Sequence, residues 1–398
     1  MKRILFVAEA VTLAQVVRLV TLARALDPAR YEIHFASARF DDLVFRDTRF
    51  VRHPISSLSP AVIDARVARG QRLYGRRTLS AYVREERALF KAVRPDFVVG
   101  DLRLSLAISA PVERVPYAAL INAYWSPFAE RDGFPLPEHP IVKLLGVALA
   151  ARYFQRALPF VFRHFARPLN QLRRRHGLAE LGSLPEVLTF GDHTLFPDTP
   201  ALVPTRDLPA HQRYLGYVPW SPPVPLPEWW NRLDAGRPTV YVTLGSSGRV
   251  QLLPMVLDAA TSLGCQVLVA TAGRIRLDAP PPHVFAADYL PGDLAARRAA
   301  VVISNGGSTT GYQALAQGRP VLGLPFNLDQ SLASQAITRA GVGLVVRAGL
   351  ADAKNVAGAL SRLIAERSFH ERATDVAADL ARSNGPATFA TLVDREVA

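Results

Sequence analysis

Along the N-terminal half, short runs of consecutive apolar residues alternate with longer stretches whose apolar positions recur at helical spacing. Ile4–Ala8, Tyr31–Ala36, Phe97–Gly100 and Tyr117–Ile121 have the length of buried strands, and Leu13–Leu26 has the periodicity of a helix. Alternation of this kind predicts a parallel sheet covered by helices, an α/β class. A proline-dense stretch, Trp220-Ser221-Pro222-Pro223-Val224-Pro225-Leu226-Pro227, interrupts it, and the fixed φ of proline suits an extended connector. Alternation then resumes, with strands over Thr239–Leu244, Gln266–Ala270, Ala300–Ser304 and Val321–Leu324 and helices over Leu252–Leu263 and Tyr312–Gln317. The reading is an N-terminal domain over 1–215, a connector over 216–236, a second domain over 237–378 and a C-terminal helical segment over 379–398, with Asp375 to Ala398 broken at Gly385-Pro386. Ligands of open parallel sheets bind at the carboxyl ends of the strands.

Composition adds limits. At 398 residues and 49% hydrophobic content the chain is long enough for two cores. No run approaches the roughly 18 apolar residues of a membrane span, and Met1-Lys2-Arg3 leads directly into the first strand without a cleavage-site pattern, so a cytoplasmic protein is expected. Cys265, the one cysteine, allows no intrachain disulfide. The net charge is +13, but lysine occurs only at Lys2, Lys91, Lys143 and Lys354, an arginine excess resembling the codon bias of a GC-rich genome. There is no RNA-binding motif, helix-turn-helix signature or zinc pattern, so nucleic acid is not an expected partner. The stretch Ile141 to Arg173 mixes Leu, Val, Phe and Tyr with Lys143, Arg152, Arg156, Arg163, Arg167 and Arg173. It reads either as a basic amphipathic surface for a lipid-linked acceptor or an anionic membrane face, or as a solvated helix packed by its apolar side.

The strongest chemical signal is Val301-Val302-Ile303-Ser304 followed by Asn305-Gly306-Gly307-Ser308-Thr309-Thr310 and an amphipathic helix. Glycines let backbone approach a ligand closely, and hydroxyls with N–H groups at a helix N-terminus suit a pyrophosphate; an ordinary capped βα turn has the same composition. A second loop, Gly245-Ser246-Ser247-Gly248, leaves the strand Thr239–Leu244 on the same sheet edge. Asp329-Gln330 follows one strand beyond the pyrophosphate loop and offers a carboxylate and an amide to sugar hydroxyls.

The segment Asn305 to Gly343 resembles the signature of the GT1 family of nucleotide-sugar glycosyltransferases, and the resemblance extends in weaker form over nearly the whole chain. The family pattern is His-Gly-Gly-Ser-x-Thr-Thr-x-Glu-Ala-Leu, Gly-x-Pro-Val and Pro-x-x-x-Asp-Gln. Its framework is met by Asn305 to Leu315, Gly318-Arg319-Pro320-Val321 and Pro325 to Gln330. The resemblance implies a GT-B fold, two Rossmann-like domains facing each other across a cleft, with inverting transfer from a UDP or dTDP sugar and no obligatory metal or cofactor. The sequence has no Asp-x-Asp triplet and no HxH or HExxH spacing. By the same match Asp329 and Gln330 would hold the donor sugar and Gly307, Ser308, Thr309 and Thr310 the diphosphate. Tyr289 and Leu290 fall where the family's backbone reads the base, and the last helix would return to the first domain. Asn305 replaces the family's histidine, and Gln313 its ribose-binding glutamate.

In the first domain Leu22-Ala23-Arg24-Ala25-Leu26 matches a family run, and counting back from it puts the catalytic histidine at Gln15. Glutamine is no base near neutral pH. Asp101 would correspond to the carboxylate that orients that histidine. It could act as the base, cap a helix beginning near Leu102 or touch the acceptor; an already ionised acceptor, Glu9 as base, or an impaired enzyme are the other solutions. Asn122 and Trp125, in Asn122-Ala123-Tyr124-Trp125-Ser126-Pro127-Phe128, are the candidate acceptor contacts, an aromatic surface unless those rings fill space beneath the loop. The expectation is a glycosyltransferase acting on a hydrophobic or membrane-associated acceptor, cytoplasmic or peripheral to the inner membrane face. A nucleotide-sugar-binding auxiliary protein without activity is the alternative, and a nucleotide-sugar 2-epimerase a third reading.

Overall fold

Continuous apolar strands need cover on both faces, and the chain supplies it twice. The computed structural model describes residues 1–136, 146–277 and 280–397. Seven strands, β1 (Lys2–Ala8), β2 (Tyr31–Ser37), β3 (Val51–Pro54), β4 (Phe97–Asp101), β5 (Tyr117–Leu120), β6 (His193–Phe196) and β7 (Gln212–Tyr214), form one parallel sheet in the order β3-β2-β1-β4-β5-β6-β7. Six more, β8 (Thr239–Thr243), β9 (Gln266–Ala270), β10 (Val284–Ala287), β11 (Val301–Ser304), β12 (Val321–Gly323) and β13 (Gly343–Val345), form a second in the order β10-β9-β8-β11-β12-β13, also parallel. Strand interiors are almost wholly buried: Ile4 to Ala8, Phe97 to Val99 and Val301 to Ile303 expose nothing. Burying such runs contributes roughly 1.5–3 kcal/mol per large side chain.

Two compact units result. The first takes Met1–Gly133, His139–Pro219 and the chain from Ser383; the second is essentially Trp220–Arg382. The later division falls beyond residue 379 because the helix Arg367–Arg382 runs through that position unbroken. Asn384 then caps a last helix, Gly385–Glu396, through Ala387 N–H, with Pro386 in its first turn. This helix packs on the first sheet: Phe389 lies 5.9 Å from Phe6 ring to ring, and Tyr31 Oη donates to Asp394 at 2.5 Å. The proline-dense segment is held by the second unit, where Ser221 Oγ donates to Asp293 at 2.6 Å and Trp229 packs on Phe285. Among the described residues no helix is long and apolar enough to cross a membrane.

Candidate functional site

In the second sheet the chain runs from β8 outward through β9 to β10, then returns to β11 and continues the other way. β8 and β11 are therefore neighbours at the point where strand order reverses, and the loops leaving their carboxyl ends diverge around a crevice. Those loops are Gly245–Gly248 and Asn305–Thr310. They are tied together: Asn305 Nδ2 donates to Ser247 Oγ at 3.2 Å, while Asn305 Oδ1 accepts from Gly307 N–H at 3.1 Å. The amide at position 305 thus builds the loop with both of its ends. Gly306 needs to be glycine on two counts, since its φ is +78° and a Cβ there would collide with Ser334 Oγ. In the other loop Ser246 is exposed, and Gly245 takes φ +61°.

The helix after this loop starts at Ser308, with Gly307 as N-cap, four residues before the Tyr312 start read from the sequence. The apolar pattern begins only at Tyr312, but Ser308, Thr309 and Thr310 form the first turn, whose N–H groups have no acceptor within the helix and so tolerate polar residues. All three are half-buried, with the positive end of the helix dipole behind them. Gln313, one turn further, is 9% exposed. Its Nε2 donates to the Trp220 carbonyl at 2.9 Å, and a Cβ at Gly292 would collide with it, so the amide is packed between the proline segment and the Tyr289–Gly292 turn. In that turn Leu290 is buried and Tyr289 Oη reaches the Ala272 carbonyl at 3.5 Å.

Asp329 and Gln330 lie in the first turn of the helix Leu328–Arg339, past the loop that leaves β12. Asn327 Oδ1 caps Gln330 N–H at 2.9 Å, and Gln330 Oε1 folds back onto Phe326 N–H at 3.1 Å. Gln330 is consequently buried, whereas Asp329 is exposed. The second sheet therefore gathers the loops after β8, β11 and β12 on one edge.

The first sheet reverses between β1 and β4. Gln15 is the third residue of the helix Leu13–Arg24 and completes a capping box with Thr12, its Oε1 accepting from Val11 N–H at 3.0 Å and Thr12 N–H at 3.2 Å. Asp101, at the end of β4, does not cap a helix near Leu102. Leu102 takes φ +54°, and the next helix begins only at Leu106. Asp101 is fully buried and held bidentately by Arg18, Nε to Oδ2 at 2.9 Å and Nη2 to Oδ1 at 2.8 Å. Both carboxylate oxygens are thus engaged by one guanidinium. Arg18 Nη1 also donates to Asn122 Oδ1 at 2.8 Å, Asn122 Nδ2 donates to Asp198 Oδ1 at 3.0 Å, and Asp198 Oδ2 accepts from Ala123 N–H at 2.6 Å. One buried chain of polar groups so links the tips of β4, β5 and β6. Asn122 belongs to it, and Trp125, 7% exposed in the short helical turn Ala123–Trp125, presents no open aromatic surface. Arg131 closes over that turn by donating to the carbonyls of Tyr124 and Ser126.

Sequence reasoning missed Arg18 and Asp198. The signal for Arg18 was present, a cation inside the apolar run Val16-Val17-Arg18-Leu19-Val20, one turn after Gln15. Also missed was Arg103, a fully buried cation that donates at 3.0 Å to Glu9, read from the sequence as an alternative base, and at 2.6 Å to Glu86, and stacks 3.7 Å over the Tyr82 ring. Tyr82 Oη in turn donates to Glu9 at 3.2 Å. Burial pushes the Glu9 carboxyl up to about 7 despite Arg103 beside it. Among the described residues no group of three or more His, Cys, Asp or Glu could hold a metal ion.

The chain is similar to known proteins over most of its length. A family model described as "Erythromycin biosynthesis protein CIII-like, C-terminal domain" matches residues 254–394. A PGL/p-HBAD biosynthesis glycosyltransferase of Mycobacterium tuberculosis is 47% identical over 378 residues, 94% of this chain and 88% of that protein. A PGL/p-HBAD biosynthesis rhamnosyltransferase of Mycobacterium bovis is 47% identical over 94% of this chain and 84% of its own length. A second M. bovis relative, named an inactive PGL/p-HBAD biosynthesis glycosyltransferase, is 48% identical over 65% of this chain and 70% of its own. Among solved structures, spinosyn forosaminyltransferase SpnP shares the fold at TM-score 0.70 and 21% identity, over 100% of this chain and 99% of that one. Spinosyn rhamnosyltransferase SpnG complexed with thymidine diphosphate does so at 0.68 and 18%, over 99% and 100%. The fold is GT-B.

Proposed function

Since the chain belongs to the glycosyltransferase family of the PGL/p-HBAD biosynthesis enzymes, we propose that it transfers a sugar, with inversion, from a nucleoside diphosphate sugar to a hydrophobic or membrane-associated acceptor. The observation that carries the reading is the pair of loops at the β8/β11 reversal, joined by Asn305 and Ser247 and ending on the N-terminus of the helix Ser308–Leu315. An acceptor oxygen attacks the anomeric carbon opposite the diphosphate, the bond from that carbon to the diphosphate breaks, and the negative charge on the leaving group is met by the first turn of that helix. Asp329 and Gln330 are assigned to the sugar, Gly307 to Thr310 to the diphosphate, Gln313 to the ribose, and Tyr289 and Leu290 to the base. The acceptor oxygen is anionic when it attacks, because Gln15 has no basicity, Asp101 is paired with Arg18, and Glu9 is buried and enclosed by Arg103 and Tyr82. No metal or cofactor takes part, and the protein works in the cytoplasm at the inner membrane face. Thymidine diphosphate before uridine diphosphate is favoured by the SpnG complex, and a deoxyhexose of the rhamnose class by the rhamnosyltransferase relatives.

The test is a melting-temperature screen with dTDP, UDP and their sugars, followed by mass spectrometry of lipid extracts incubated with the preferred donor. A nucleotide-dependent rise in melting temperature, lost in Thr310→Ala and Asp329→Ala, and a sugar adduct in the extract are expected. No shift with either nucleotide, or variants that bind like the parent, would end the reading. A binding protein that assists a partner without transferring sugar is the second reading, favoured by the engagement of Gln15 and Asp101 and by the relative named inactive. It predicts the same melting shift with no adduct from any extract.

A further inference from the structure

The helix Val147–Arg175 contains no acidic residue and seven arginines. Its inward face is satisfied: Leu158, Phe162, Ala166, Leu169 and Leu172 are buried, the last three packing in a cluster with Tyr74, Leu79 and Tyr82. Arg173 also turns inward, donating to the carbonyls of Ala107 and Ala179 and stacking 4.5 Å from the Phe190 ring, so it leaves the basic surface read from the sequence. Lys143 and the other positions 141–145 of that stretch lie outside the described residues.

The outward face is unusual. Leu149, Tyr153, Arg156, Phe160, Arg163 and Arg167 are spaced by three or four residues and share one stripe, with Arg152 beside it. Phe160 is 71% exposed, Tyr153 55% and Leu149 43%, although the helix has already buried an apolar face of its own. No ion pair with a described residue is made by Arg152, Arg156, Arg163 or Arg167. Large apolar groups interleaved with unpaired cations on a convex helix surface match an interface that is apolar within and anionic at its rim.

We infer that this stripe docks on an anionic lipid bilayer, with Tyr153 and Phe160 entering the headgroup layer and the arginines reaching its phosphates along their aliphatic stems. The surface rests on the proposed reaction only in supplying a reason for membrane contact. The full chain is sedimented with phosphatidylcholine vesicles, with mixed phosphatidylcholine–phosphatidylglycerol vesicles, and with single-stranded oligonucleotide, and dTDP melting shifts are recorded on the same samples. The expected result is binding to the mixed vesicles alone, reduced by salt, weakened on the order of a hundredfold or more in R152E/R156E/R163E/R167E and clearly weakened in Phe160→Asp, with far-UV dichroism and melting unchanged. Conservative replacement of the four arginines by lysine retains binding. The inference is overturned if the parent chain ignores the mixed vesicles, if charge reversal leaves binding intact, or if oligonucleotide binds and vesicles do not. Vesicle binding without any dTDP shift would sink the donor-site reading and leave this one standing.

Discussion

Arg18 grips both carboxylate oxygens of Asp101, at 2.8 and 2.9 Å, one helical turn after Gln15. The pair is almost wholly desolvated, with side-chain exposures of 10% and 0%. Restoring histidine at position 15 therefore does not by itself rebuild a histidine–carboxylate dyad. Gln15→His is expected to raise turnover by less than about tenfold and to cost about 1 kcal/mol in urea unfolding through the lost capping box. Arg18→Met, which strands a buried charge, is expected to cost about 3–5 kcal/mol. A gain of several orders in Gln15→His would show that Asp101 is free to change partners.

The loop pair at the β8/β11 reversal predicts a graded loss. Ser247→Ala removes one hydrogen bond to Asn305 and should weaken dTDP binding roughly threefold to tenfold with little effect on melting. Gly306→Ala forces a side chain into Ser334 at a positive φ and should cost about 1–3 kcal/mol and abolish the nucleotide shift. Calorimetric titration distinguishes the two, and equal affinities would separate the loops from the donor site.

Glu9 gives the fold a pH signature. Its carboxyl titrates near 7 in the folded chain against an ordinary 4.5, so between those values the folded state holds a proton that the unfolded chain has released. The contribution is fully present below pH 4.5 and is lost as pH rises through 7. Glu9→Gln cannot titrate and should flatten this part of the stability profile, whatever constant offset it adds at Arg103. Parallel urea melts of parent and variant across that window check it, and an unchanged slope would refute the assignment.

If the helix Ser308–Leu315 meets the charge on the leaving diphosphate, chelation should not matter. Turnover is expected to be unchanged in EDTA and unaffected by added magnesium or manganese, as measured by release of nucleoside diphosphate. A strict metal requirement would assign that charge elsewhere.

The alternation of apolar runs was enough to identify two parallel sheets, because a strand buried on both faces has few sequences open to it. Glycine and hydroxyl spacing likewise marked the loops after β8 and β11. Helix starts were less legible: Tyr312 begins the apolar pattern, yet the helix begins at Ser308, since a first turn has no need of apolar residues. Asn122 and Trp125 look exposed in a loop sequence, and only the network from Arg18 to Asp198 explains their burial.

The sequence alone determined the class of fold and the two-unit division near the proline segment, both of which depend on local pattern and on spacing along the chain. By the family resemblance it also put a glutamine, Gln15, at the position expected of a base. Which groups are bound to one another was decided only by tertiary structure, because Arg18 with Asp101, Arg103 with Glu9, and Asn305 with Ser247 are separated by 83, 94 and 58 positions. A polar side chain's chemistry is set by its partner and its burial, and neither is written in its neighbours along the chain.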